Sequence, residues 1–161
     1  MSRIVSSFLV LLLSLCVVPP AFSHCEIPCG IYEDAMRLDL IGEHITTIEK
    51  SLKMIANLSK DEDKNVNQLV RWIGNKEKHA QEIQVIVYQY FMTQRIKPAG
   101  EEQAEKHQKY LKELRLLHEM LIAAMKSKQS LDTQNVTKLR ALLSDFRTSY
   151  LGEQTEKEHA H

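Results

Sequence analysis

The chain of 161 residues predicts an all-α protein: an antiparallel up-down-up-down four-helix bundle preceded by a short N-terminal segment. Three observations predict it. Apolar residues recur at steps of three and four along four separate stretches, the spacing that lines one face of a helix. Short polar or Pro/Gly-containing connections separate the stretches, and short connections force neighbouring helices to run opposite ways. No strand-like alternation, glycine-rich phosphate loop or internal repeat competes with this pattern.

Residues 1–23 read as a cleaved secretion signal. Arg3 supplies a positive start, Ile4 to Val18 is almost wholly apolar and uncharged, and Ala21-Phe22-Ser23 places small residues third and first before a cut at His24. Pro19 and Pro20 end the apolar run, which falls short of the ~20 residues a transmembrane anchor needs. Lipidation at Cys16 is disfavoured, because Leu15 before it is bulkier than the small residue such anchors use. The mature chain is therefore expected to be exported, periplasmic or extracellular, with no membrane attachment after cleavage. Residues 24–32 form the hook, 33–152 the bundle and 153–161 a polar tail.

The first helical stripe is Leu38, Ile41, Ile45, Ile48, Leu52 and Ile55, closed by a polar break over 57–64. The second, from about Asn65 to Gln94, carries Val66, Leu69, Ile73, Ala80, Ile83, Val87 and Tyr90, and ends at Pro98-Ala99-Gly100. The third starts near Glu101 and holds Leu111, Leu114, Leu117, Leu121 and Ala124, with 127–133 as the next connection. The fourth holds Val136, Leu139, Leu143, Phe146 and Tyr150 and stops at Gly152. Residues 24–161 are enough for one domain with a hydrophobic core of its own.

Charge excludes some partners. The chain balances 21 basic against 21 acidic side chains, so no strong field points to nucleic acid or an anionic membrane. After cleavage the cysteines are Cys25 and Cys29. A disulfide between them would close a tiny loop at the terminus and constrain little of the unfolded chain, so metal ligation accounts better for their placement.

Cleavage at His24 would bring a free amine, an imidazole, a backbone amide and two thiols within six residues. Two thiolates with nitrogen donors select soft or borderline metals. An amine, a deprotonated amide and two sulfurs in one plane suit Ni(II) or Cu(II), whereas zinc prefers a tetrahedron. The His24 amine and the Cys25 amide and sulfur close small chelate rings, Pro28 pre-sets the turn that returns Cys29, and the His24 imidazole is left as an optional axial ligand.

The segment His24 to Tyr32, HCEIPCGIY, resembles the nickel hook of nickel-containing superoxide dismutases, whose pattern is His-Cys-x-x-Pro-Cys-Gly-x-Tyr. All six specified positions are met, at His24, Cys25, Pro28, Cys29, Gly30 and Tyr32. The resemblance implies disproportionation of superoxide to oxygen and hydrogen peroxide by one nickel ion per subunit cycling between Ni(II) and Ni(III). His24, Cys25 and Cys29 would be its ligands, and the family's usual assembly is a homohexamer. Tyr32 resembles the family's gatekeeping tyrosine; its plainer reading is a turn tyrosine packed on the bundle. Glu26 reads equally as an influence on nearby waters or as a solvated charge.

The resemblance also implies a polar partner for the axial histidine, as metal-bound imidazoles generally require. Asp39 and Glu43 on the first helix and His79 on the second are the candidates, and spacing does not choose among them; His79 reads equally as a solvated helix histidine. Lys76 reads as a buried polar contact or as the place where its stripe meets solvent. His107 and His118 lie near the third helix's core face and read as core or boundary packing. Two other function classes compete: an exported nickel or copper carrier using the same ligands without turnover, and a structural helical bundle with a Cys25–Cys29 disulfide.

Overall fold

The computed structural model of the protein describes residues 33–152, the side chain of Glu62 excepted. Four helices pack around one core, and the described residues contain no strand. Helix α1 spans Asp34–Leu58 and buries the expected stripe, with Leu38, Ile41, Ile45 and Ile48 wholly inaccessible and Leu52 and Ile55 nearly so. A single 3-10 turn, Ser59–Asp61, reverses the chain. Asn65 ties that turn down by donating from Nδ2 to the carbonyls of Asp61 and Leu58.

Helix α2, Glu62–Val85, starts earlier than the polar break suggested, and only its second half enters the core. Val66 and Ile73, expected on the buried stripe, are 55% and 40% exposed. The cause is the relative placement of the helices. Lys76 on α2 donates from Nζ to the carbonyls of Lys128 (2.6 Å) and Ser130 (3.4 Å), where helix α3, Ala104–Gln129, ends. Residues of α2 before Lys76 thus lie beyond the end of α3, which leaves them no third helix to bury against. Lys76 itself is the buried polar contact, satisfying carbonyls that a helix end leaves unpaired.

The second helix does not keep one winding to its end. Ile86–Arg95 forms a ten-residue π-helix, in which the Ile96 N–H reaches the Phe91 carbonyl at 2.9 Å. Thr93 and Gln94 add side-chain bonds to the carbonyls of Tyr88 and Gln89, five residues back. Such stretches are rare and occur where tertiary packing over-rides local preference. Here Phe91 meets Phe146 edge-on at 5.1 Å and Tyr150 at 5.6 Å, and is itself inaccessible.

Helix α3 begins three residues later than expected and presents a rotated face: Leu116, Leu117, Met120, Ala123, Ala124 and Ser127 are buried, Leu114 and Leu121 only partly, and Leu111 is exposed. The small residues Ala123 and Ser127, outside the expected stripe, are buried beside the expected Ala124. His118 faces solvent, contrary to the core-face expectation. His107 is half-buried, with Nδ1 2.7 Å from the Ala99 carbonyl, and closes the loop before α3. Helix α4, Gln134–Leu151, buries Val136, Leu139, Leu142, Leu143 and Phe146. It ends at Gly152, whose φ of 82° favours glycine and whose N–H reaches the Thr148 carbonyl.

Cross-helix contacts fix the directions. Ser51 meets Asn75 while His44 meets His79; Lys76 meets Lys128 while Gln84 meets Leu121; Glu119 meets Lys138 while Glu113 meets Ser149; Glu49 meets Arg140 while Asp34 meets Tyr150. Each pair of neighbours is antiparallel, and α4 closes the ring on α1, giving the up-down-up-down bundle.

Glu113 is an acid in this core, with its side chain 7% exposed, 3.7 Å from Lys109 Nζ and accepting a bond from Ser149. Burial pushes its pKa up, more than the Lys109 charge and the Ser149 hydrogen bond pull it down. A raised folded pKa means that the stabilising contribution is complete below the usual carboxylate value and is lost as pH rises through the folded value. Glu113→Gln is therefore expected to raise the urea midpoint at pH 7.5 and to give a smaller gain at pH 4; an equal shift at both would show that the carboxyl does not titrate upward on folding.

Candidate metal centre

His24, Cys25, Cys29 and Tyr32 lie outside the described residues, as do the signal and the tail. What the structure describes is the platform that these residues join. Among the described residues no group of three or more His, Cys, Asp and Glu side chains is placed to hold a metal ion. The donor set expected of residues 24–29 would fit nickel: thiolates would supply soft, strongly donating sulfur, and an imidazole and, on cleavage after Ser23, an amine would supply nitrogen.

The chain enters the bundle at Glu33, in extended backbone (φ −63°, ψ 140°), and α1 opens at Asp34 with no side-chain cap from Glu33. Asp34 is gripped from two other helices. Tyr90 donates its hydroxyl to Oδ1 and Tyr150 donates to Oδ2, both at 2.6 Å, the short range of charge-assisted O–H···O⁻ bonds. Arg95 Nε lies 3.0 Å from Oδ1 as an ion pair whose N–H is not aimed along that line, and Arg95 Nη2 donates to the Tyr90 hydroxyl at 2.8 Å. The guanidinium groups of Arg37 and Arg95 sit over the Tyr90 ring, 5.1 and 4.8 Å from its centre.

The π-winding makes this cluster. Tyr90 and Arg95 are five residues apart, one hydrogen-bonded turn of a π-helix, so they share a face. Partial burial alone would raise the pKa of Asp34, but the bonds from Tyr150 and Tyr90 and the Arg95 charge outweigh it and hold the carboxyl below its usual value. Burial, followed by the donated bond to Asp34, pushes both tyrosines up. Both hydroxyls thus stay protonated donors, and Asp34 stays an anion.

The three candidates for a partner of the axial histidine separate onto two seams. Asp39 and Glu43 line an open groove between α1 and α4 with Arg140 and Arg147, and Asp39 is ion-paired with Arg147. His79 lies on the α1–α2 seam, half-buried, with Nδ1 2.8 Å from Nδ1 of His44 and ring centres 5.0 Å apart. One of these nitrogens must donate and the other accept, so the contact requires complementary tautomers at Nδ1 of the two rings. His44 stands about 15 Å along α1 from Asp34, by helical rise.

Sequence reasoning missed Asp34, Arg95, Tyr150's hydroxyl and His44. Tyr90 and Tyr150 had been counted for their rings, which do lie on the stripes; the hydroxyl ends carry the polar role. His44 had only a weak signal, a titratable residue beside the buried Ile45.

A family model described as nickel-containing superoxide dismutase matches residues 19–154, a span that includes residues 24–32 and all four helices. No curated protein and no solved structure matches the chain.

The histidine pair has a consequence for pH. Burial, then the charge of His79, lowers the pKa of His44, while Glu82 and Glu43 pull it up and Lys78 pushes it down. A depressed folded pKa gives stability that is present above the usual histidine value and lost as pH falls through the folded one. Thermal midpoints are expected to fall as pH drops from 7.5 toward 5, and more gently in His79→Gln, which removes the second of these causes. Identical slopes would show that the pair does not contribute.

Proposed function

This chain belongs to the nickel-containing superoxide dismutase family, and on that footing we propose that its nickel is held by His24, Cys25 and Cys29 at a terminus freed by cleavage after Ser23. The observation that carries the reading is the motif His24-Cys25-x-x-Pro28-Cys29-Gly30-x-Tyr32, placed directly after a secretion signal and directly before the bundle. The protein is a superoxide dismutase and superoxide is its substrate.

Held by His24, Cys25 and Cys29, one nickel ion per subunit would supply Ni(II)/Ni(III) redox chemistry, by which two superoxide ions and two protons become one oxygen and one hydrogen peroxide. The chain's residues prepare that exchange. The thiolates of Cys25 and Cys29 and the deprotonated amide of Cys25 donate electron density that favours the higher oxidation state, and the His24 imidazole adds to it when bound. The free amine of His24 is a better donor than the amide it would be in the uncut chain. Tyr32 orders small molecules at the open side and restricts access to it. The protein acts outside the cytoplasm, in a periplasm or beyond the cell.

Assembly belongs to the same proposal. The mature chain forms a closed homo-oligomer, a hexamer by resemblance to its family, in which neighbouring subunits shelter a hook with few contacts of its own. The apolar side chains that α2 turns outward before Lys76, including Val66, Val70 and Ile73, support it by offering a second copy a surface.

Adding one alanine before His24 in the secreted form is expected to abolish high-affinity nickel binding and dismutation while leaving helicity intact. Full nickel occupancy with full activity in that variant would overturn the terminal-amine assignment. Light scattering on the nickel-loaded mature protein is expected to report a mass several times that of one chain; an active monomer at dilute concentration would rule out the sheltering role.

A further inference from the structure

We propose that Asp34 is the positioning residue of the metal hook: held by the hydroxyls of Tyr90 and Tyr150, it fixes the root of the hook and thereby sets nickel affinity. The proposal rests on the reading that the hook binds nickel, and it assigns a role that the hook's own residues do not supply.

Apart from Arg37 over the Tyr90 ring, the first turn of α1 buries little apolar surface. The buried stripe begins only at Leu38, Met36 is 54% exposed, and Glu33 gives no side-chain cap. Helix ends with so few apolar contacts fray readily. Yet this turn receives two 2.6 Å hydrogen bonds on a single carboxylate, from side chains 56 and 116 residues away in sequence. The bonds tie the start of α1 to the π-helix and to the last turn of α4, so three elements converge on the residue two positions after Tyr32. The core is closed without it: the aromatic cluster of Phe91, Phe146 and Tyr150 packs ring on ring whatever the state of the carboxyl.

A bundle needing only to be stable gains little from fixing its first turn so firmly, since the chain leaves the core there. A metal segment gains much. Its donors must converge to within about half an ångström, and a short segment transmits any displacement of its root. The carboxylate suits the task because it accepts from both tyrosines at once, one per oxygen, which an amide with one acceptor oxygen cannot do. Arg95 beside Oδ1 keeps the carboxylate charged, and its bond to the Tyr90 hydroxyl sets the direction in which that hydroxyl donates.

The test uses the full mature chain beginning at His24, in unsubstituted, Asp34→Asn and Tyr150→Phe forms. Three quantities are read: Ni(II) affinity of the metal-free protein by calorimetry, the electron paramagnetic resonance spectrum of the oxidised nickel form, and helicity by circular dichroism. Helicity is expected to be nearly unchanged, nickel affinity to fall about 10- to 100-fold in Asp34→Asn, and the spectrum to broaden as the donors lose a single arrangement. Tyr150→Phe keeps the Tyr90 bond and is expected to lie between the two; it decides the matter where Asp34→Asn does not fold. Unchanged affinity and spectrum in folded variants, with nickel bound by the unsubstituted chain, would overturn the positioning role alone. Absence of nickel binding in the unsubstituted chain would overturn the reading of the hook and this proposal with it.

Discussion

Everything in this bundle is referred to the buried seam of α1. Its six stripe residues are almost completely removed from water, and both neighbouring helices are aligned by what they place against it. A helix whose face is so regular leaves its partners little freedom, because each large aliphatic side chain needs a complementary gap opposite. The aromatic residues Phe91 and Phe146 fill the end of that seam where α1 begins, and their edge-on packing requires the second helix to bring Phe91 inward at a definite height. The wide winding of Ile86–Arg95 is the adjustment that the second helix makes to do so.

The fold was legible where periodicity was clean and blurred where it was not. The stripes of α1 and α4 appear in the structure almost residue for residue, since both helices run along the core for most of their length. On α2 the same apolar spacing misled, because spacing reports a helical face but not whether another helix reaches that level; Val66 and Ile73 lie past the end of α3. On α3 the eye follows leucines, while the buried face that Ala124 was expected to share is completed by Ala123 and Ser127. The π-helix has no signature in a search for steps of three and four, since it is imposed by packing rather than by local preference.

Candidate chemistry divides in the same way. The hook is contiguous, so a reader of the sequence meets its donors together, and the family match over residues 19–154 agrees with that reading at the level of the family. The Asp34 cluster joins residues 34, 90, 95 and 150, and no local pattern announces a contact across such separations. Tyrosines on apolar stripes read as core, correctly for their rings. Where the hydroxyl goes depends on the winding and on where another helix ends, which are tertiary facts. The His44–His79 contact escaped for the same reason: each residue flanks a stripe on its own helix, and only the antiparallel register of α1 and α2 sets one against the other.

The ten-residue π-helix also bears on how this sequence can change over time. An extra residue per hydrogen-bonded turn is what an insertion into an ordinary helix leaves behind, and removal of one residue is the simplest way back. Such a deletion would preserve a helix and much of its burial, yet it would turn Tyr90 and Arg95 out of phase with each other and swing the tyrosine hydroxyl away from Asp34. The number of residues between Tyr90 and Arg95 is thus constrained alongside the identities of Tyr90, Phe91 and Arg95 themselves. In a lineage of related bundles, a gap between Tyr90 and Arg95 would mark a rebuilt start of α1 as surely as the loss of either side chain.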